Sequence, residues 1–242
     1  MHQISKVALL LETSTHYGRG LLRGIIRCSR LHGPWSLYIG AGGFEQALPN
    51  TKFNGIIARI YSLKLAQDIM HAGLPAVVLE PCTEELAEAN PLRGFSEIVT
   101  DSSKIAQAAA EHLTSLGLHS FAFCGYDNCP WSRARERAFE RYITDTGFPC
   151  LKHRINLHNW MRYDNCARAC ECERLTLVRW VESLPQRTGL MVCNDACGRQ
   201  VLQACADAGV GVPASVAIIG VDNDELMCEL SVPPLSVPSR FL

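Results

Sequence analysis

Short runs of Val, Ile, Leu and Phe recur along the chain, separated by stretches with an apolar residue every three or four positions. A continuous apolar run of this length fits a strand buried on both faces, and the periodic stretches fit helices packed beside it. Strands are expected over 6–12, 35–40, 55–58, 76–79 and 97–99. Helices are expected over 17–31 and 62–72, the second stopped by Gly73 and Pro75. A second series follows Thr100-Asp101, with helices over 104–116, 132–146, 164–184 and 197–208 and strands over 120–125, 152–155, 189–193 and 216–221. Strand and helix in alternation specify a doubly wound parallel sheet, here twice, so the expected class is α/β with two such lobes, residues 1–100 and 101–232. Asp101 is placed to cap the helix that follows it. Gly20 and Gly24 are expected to pack closely against the sheet. Beyond Val221 no helix and no further strand is expected.

At 242 residues, 48% of them apolar, the chain can bury one large core or two smaller ones. Its formal net charge is −1 and its Lys and Arg residues are scattered, so nothing marks a surface that grips nucleic acid. The first residues show no secretory signal pattern, and no run approaches membrane-spanning length. Twelve cysteines, several inside expected buried elements, fit reduced thiols of the cytoplasm better than a disulfide framework.

In an open parallel sheet, ligands bind beyond the carboxyl ends of the strands. The polar groups expected there are the loop 13–19 after the first strand, Arg59 after the third, Glu80 after the fourth, the loop 126–131 with Trp131, and the pairs Asn194-Asp195 and Asp222-Asn223, side by side at one rim. Trp131 is either a packing residue or a flat face for the C–H side of a sugar. Gly40-Ala-Gly-Gly lacks the third glycine of a dinucleotide loop. Cys166, Cys170 and Cys172, with His153 and His158, match no closed zinc spacing. No metal or cofactor is called for.

Several phrases together resemble the effector-binding region of the lactose-repressor (LacI/GalR) family, and within it the xylose operon regulators. They are Tyr17-Gly-Arg19, Phe121-Ala-Phe-Cys-Gly, Trp131 with Arg135-Glu-Arg-Ala-Phe139, Thr188-Gly-Leu-Met-Val-Cys-Asn-Asp195-Ala, Val210-Gly-Val-Pro-Ala-Ser-Val, Ile218-Ile-Gly-Val-Asp-Asn-Asp-Glu-Leu and Val232-Pro-Pro-Leu-Ser-Val. The resemblance implies the type I periplasmic-binding-protein fold and a sensor that takes a free pentose between two lobes. It assigns Tyr17 and Arg19 to the first lobe, with Arg59 and Glu80 as looser candidates, and Trp131, Arg135, Asp195 and Asp222 to the second. It also implies a homodimer. The chemistry is consistent with that assignment, because carboxylates accept from sugar hydroxyls, Arg donates to them, and an aromatic ring covers the apolar face.

Two departures from the family pattern matter. Lactose-repressor relatives carry a helix-turn-helix before the first strand, where this chain has five residues. The xylose-type regulators carry a pair of such motifs after the sensor, beyond where this chain stops. The expectation is a C-terminally truncated sensor, with 233–242 a shortened crossover and DNA contacted only through a region missing here. Two alternatives use the same fold. A solute-binding protein for sugar uptake would need an export signal, and an enzyme with Asp195 and Asp222 as acid and base would need a nucleophile, metal set or phosphate loop.

Overall fold

The computed structural model describes residues 4–40, 52–60, 62–80, 94–156 and 167–236, with nothing said of the side chains at 167–170. The chain divides into two compact units, Met1–Thr100 and Asp101–Leu242. In the first, β1 (Ser5–Leu10), β2 (Trp35–Ile39), β3 (Gly55–Arg59), β4 (Ala76–Leu79) and β5 (Ser96–Ile98) form a sheet of order β2-β1-β3-β4-β5. All its pairs are parallel. The alternation along β1 sends Ala8 and Leu10 to one face, where they join Ile56, Ala58 and Val78 with Leu65, Ala66 and Ile69 of helix α2 (Leu63–Ala72). Val7, Leu9 and Leu11 go to the other face, against Leu21, Leu22 and Ile25 of helix α1 (His16–His32). Each fully buried Leu or Ile contributes about 1.5–3 kcal/mol, so both faces need cover.

Helix α2 begins and ends where the sequence suggests. Ser62 accepts from Leu65 N to cap α2, and Gly73 ends it at φ 60°, a left-handed conformation that glycine takes without steric cost. On α1 the expectation for Gly20 and Gly24 is corrected. A Cβ at either meets nothing within 4 Å, so neither packs on the sheet. They lie on the outer side of α1, where Arg23, Arg27 and Arg30 are also exposed. The arginines are therefore less scattered in the fold than along the chain, because the helical period of 3.6 residues aligns positions three and four apart.

The second unit is built the same way. Strands β6 (Ser120–Tyr126), β7 (Cys150–Ile155), β8 (Thr188–Val192) and β9 (Val216–Ile219) form a parallel sheet of order β7-β6-β8-β9. Its helices are α3 (Ser102–Ser115), α4 (Pro130–Asp145), α5 (Ala167–Ser183), α6 (Asp195–Asp207) and a short α7 (Glu225–Glu229). Phe121, Phe123, Leu190, Met191 and Val192 lie at the centre of one continuous core. Asp101 caps α3 by accepting from Lys104 N at 3.1 Å.

One expectation for the end of the chain is corrected, that no helix follows Val221. Helix α7 follows Val221, and Ser236 forms a parallel bridge with Ile219, whose neighbour Gly220 donates to Ser236 O at 2.8 Å. Five helical residues are too few to show a hydrophobic period, and Leu226 and Leu230 of this stretch are exposed, so no apolar face marked it. Residues 41–43 of the glycine loop, His158 and Cys166 lie outside the described residues.

On β7, His153 stacks on Trp180 with ring centroids 4.9 Å apart, and its Nε2 is buried without a hydrogen-bond partner. Burial lowers its pKa below the ordinary 6.5, with Glu173 opposing the shift. The unfolded chain therefore binds the proton more readily. The stability that neutral His153 permits is present above pH 6.5 and is lost as pH falls from there toward the lower folded value. Urea denaturation from about pH 8 to pH 5 should show this decline in the natural chain and a flatter profile in His153→Phe, which keeps the stack and removes the titration.

Candidate functional site

Parallel strands bring all their carboxyl ends to one edge of each sheet. In the first unit Leu10 pairs with Ala58 and Arg59 with Leu79, which sets Glu12, Arg59 and Glu80 along one rim. The Arg59 guanidinium is ion-paired with Glu12 and lies over the Tyr17 ring, 5.1 Å from its centroid. Thr15 donates to Glu12 at 3.2 Å and accepts from Gly18 N at 3.1 Å, so the cap of α1 also holds the carboxylate. Gly18 makes this possible. A Cβ there would lie 1.9 Å from Glu12 O, so α1 can start this close to β1 only without one.

The other two candidates of this unit are engaged differently. Arg19 turns back on its own loop, donating to Ser14 O at 2.6 Å. Glu80 is buried at φ 30°, a backbone region that strains a side-chain-bearing residue, and its carboxylate accepts from the hydroxyl and amide of Thr100. Of the four expected residues, the structure joins Tyr17 and Arg59 in one cluster, ties Arg19 to the backbone of its own loop and ties Glu80 to Thr100. Glu12, which completes the cluster, was read only as the end of a strand. The rule that singled out Arg59, a charged residue at a strand's carboxyl end, applies to it equally.

In the second unit Cys124 pairs with Val192 and Met191 with Ile219, which aligns the loops after β6, β8 and β9. Pro130 opens α4 at a position where its missing N–H costs nothing, and Trp131 follows it. One turn later comes Arg135, its side chain only 4% exposed. Its Nη1 donates to Cys193 O, its guanidinium lies 5.1 Å from the Trp131 ring centroid, and its Nε is buried without a hydrogen-bond partner. Asp222 Oδ1 stands 3.8 Å from Arg135 Nη1, an ion pair longer than a hydrogen bond. Tyr126 packs edge-on against Trp131 with centroids 6.1 Å apart.

Asp195 is at the rim, but its carboxylate faces inward. It is 1% exposed and accepts from the backbone amides of Val221 at 2.9 Å, Asp222 at 3.3 Å and Asp224 at 2.7 Å, with the Cys228 thiol 3.8 Å away. A carboxylate offers about four lone-pair sites, and these contacts occupy them. The Asp195 carboxylate is thus directed at these amides and away from the rim. Asp195 and Asp222 do lie side by side, with the Asp222 backbone N–H donating to the Asp195 carboxylate. Asn194 caps α6 by accepting from Cys197 N at 2.9 Å. Sequence reading also passed over Asn128, in the loop after β6, whose Oδ1 is buried without a partner.

Thiols and a phenol lie around the buried Asp195 carboxylate and Trp131. Burial pushes the Tyr126 hydroxyl and the Cys193 thiol well above their ordinary pKa values, and Cys197 and Cys124 lie with sulfurs 3.9 Å apart. A separate cavity of about 280 Å³, lined largely by apolar side chains such as Leu113, Leu202 and Leu235, includes none of the eight candidate residues. Among the described residues no group of His, Cys, Asp and Glu is arranged to hold a metal, and no helix is long and apolar enough to cross a membrane. Each rim by itself offers a guanidinium donor, a carboxylate acceptor and an aromatic face, groups that can hydrogen-bond and stack on a neutral polyhydroxy compound.

Comparison with known proteins agrees with this fold. Residues 110–239 match the periplasmic binding protein-like domain. The xylose operon regulatory protein of Haemophilus influenzae is 28% identical over 97% of this chain and 59% of its own length. That of Escherichia coli K12 is 26% identical over 96% and 58%. The chain thus spans about three fifths of the length of these relatives. Among solved structures, a xylose-binding transcription activator xylR superposes with a TM-score of 0.77 at 24% identity, covering 98% of this chain and 59% of that one. A periplasmic binding protein/LacI transcriptional regulator from Alkaliphilus metalliredigens, complexed with D-xylulofuranose, gives 0.64 at 17% identity, covering 97% and 84%.

The closeness of α1 to β1 can be tested directly. Gly18→Ala should destabilise the first unit by about 1–3 kcal/mol, the usual cost of forcing an extra carbon into a packed site. Gly20→Ala, on the open side of the same helix, should be neutral or stabilising by up to about 1 kcal/mol. Chemical denaturation of both variants reads the difference.

Proposed function

The chain belongs to the periplasmic binding protein-like domain family, and from that premise we propose that it is the effector-binding part of a transcriptional regulator of carbohydrate catabolism, with a free pentose such as D-xylose as its effector. The observation that carries this reading is the second-unit rim: Arg135 is held by Cys193 O beneath the Trp131 ring and 3.8 Å from Asp222. A guanidinium and a carboxylate at that separation can donate to and accept from neighbouring hydroxyls of one ring, while the indole covers its C–H face. Arg59, Glu12 and Tyr17 repeat the combination in the first unit. Arg19 and Glu80 take the lesser part of shaping that rim.

The relatives' names support the choice of a pentose, since the matched proteins of H. influenzae and E. coli are xylose operon regulators. In this reading DNA is contacted through the part of their length that this chain does not match, and two copies act together as a dimer in the cytoplasm. The sugar is returned unchanged. The Cys193 and Cys197 thiols are held protonated, which suits a packed floor and not a nucleophile.

Thermal unfolding scanned against D-xylose, L-arabinose, D-ribose, D-glucose and D-galactose tests the proposal. A ligand at a hundredfold excess over its dissociation constant stabilises the folded state by about 2.7 kcal/mol, a shift of a few degrees for a chain of this size. A shift with a pentose supports the reading, and no shift with any sugar removes it. Asp222→Ala should reduce the shift at the same ligand concentration while leaving the unliganded melting temperature close to that of the natural chain. Removing one acceptor from a sugar hydroxyl costs on the order of 1–3 kcal/mol.

A further inference from the structure

The two groups that carry the second-unit rim are both held by one three-residue segment. Cys193, just past β8, supplies the carbonyl that takes Arg135 Nη1. Asp195, two residues on and the first residue of α6, supplies the carboxylate that takes the amides of Val221, Asp222 and Asp224. Among the described residues no cation pairs with this buried carboxylate, so backbone N–H groups balance its charge. The turn wraps around it, with Asn223 at φ 51° in the left-handed region so that the amides before and after it reach the same group. Gly220 is part of the fit, since a Cβ there would lie 2.3 Å from Asp195 Oδ1.

An Arg and an Asp whose nearest atoms are 3.8 Å apart are not in the bidentate contact near ~2.8 Å that such a pair can form, and the separation depends on where the backbone of each is held. We infer that Asp195 is a positioning residue: it fixes the backbone of Asp222, so that with Arg135 tied to Cys193 O the two charged groups are kept apart at a spacing that accepts a ligand's hydroxyls. This rests on the sugar-binding reading of the same rim. Asp195 itself touches no ligand.

The test uses Asp195→Asn and Gly220→Ala. The first turns one acceptor oxygen into an amide that faces N–H donors, and the second pushes on the same oxygen from the other side. Each should weaken binding of the sugar found in the thermal scan by at least about tenfold. Titration calorimetry reads this at a temperature where circular dichroism shows the variant folded. If Asp195→Asn fails to fold, Gly220→Ala carries the measurement.

A purely structural role is separated by a double-mutant cycle. When Asp195 acts through Asp222, either variant adds little further loss in an Asp222→Asn background, where some binding remains measurable. Affinity within about twofold of the natural chain in the folded single variants, or losses that simply add, would overturn the positioning role while the sugar-binding reading stands. No sugar bound by the natural chain would overturn both.

Discussion

A strand buried on both faces has no room for a charge along its length, and this constraint orders the molecule. Along β1, Val7, Leu9 and Leu11 face one layer and Ala8 and Leu10 the other, and β6 and β8 are apolar or small on both sides. Charged groups can enter only where the strand ends, and parallel pairing gathers those ends at one edge. The core and the rim are therefore products of one pattern, and a change that uncovers either sheet face would also displace the loops that carry the polar groups.

Both units meet the cost of a poorly solvated guanidinium in a similar way. Arg59 and Arg135 each lie 5.1 Å from an aromatic centroid, Tyr17 in one case and Trp131 in the other, and each has an oxygen acceptor for Nη1. A half-buried guanidinium left with neither would cost several kcal/mol. The units differ in which group accepts. Glu12 binds Arg59 directly, whereas Arg135 is given a backbone carbonyl and Asp222 stands off. The functional reading leans on Arg135 and Asp222, whose nearest atoms stand 3.8 Å apart beside the Trp131 ring.

Family membership and a TM-score of 0.77 to a xylose-binding regulator place these rims in a fold whose relatives include transcriptional regulators. At 28% identity or less the side chains at the rim have to be argued from their own geometry. That geometry separates residues with similar positions in the chain. Asp195 and Asp222 each follow a strand by two or three residues, yet one carboxylate is enclosed by amides and the other is 21% exposed beside a guanidinium.

Much of this was legible from the sequence alone. The periodicities of apolar residues determined the two βα series and most element positions, and the strand-end rule pointed to Tyr17, Arg59, Trp131 and Asp222 as rim residues, because both depend only on residue order, whereas Arg135 came only from the family resemblance. Only the tertiary structure decided which neighbours each group meets. It placed Gly20 and Gly24 on the open side of a helix, brought Glu12 to Arg59 across 47 positions of sequence, and turned Asp195 inward to amides 26 to 29 residues away. Hydrogen-bond partners at such separations are set by how the strands are ordered in the sheet, and nothing local to Asp195 distinguishes a carboxylate that meets a ligand from one that holds the chain in place.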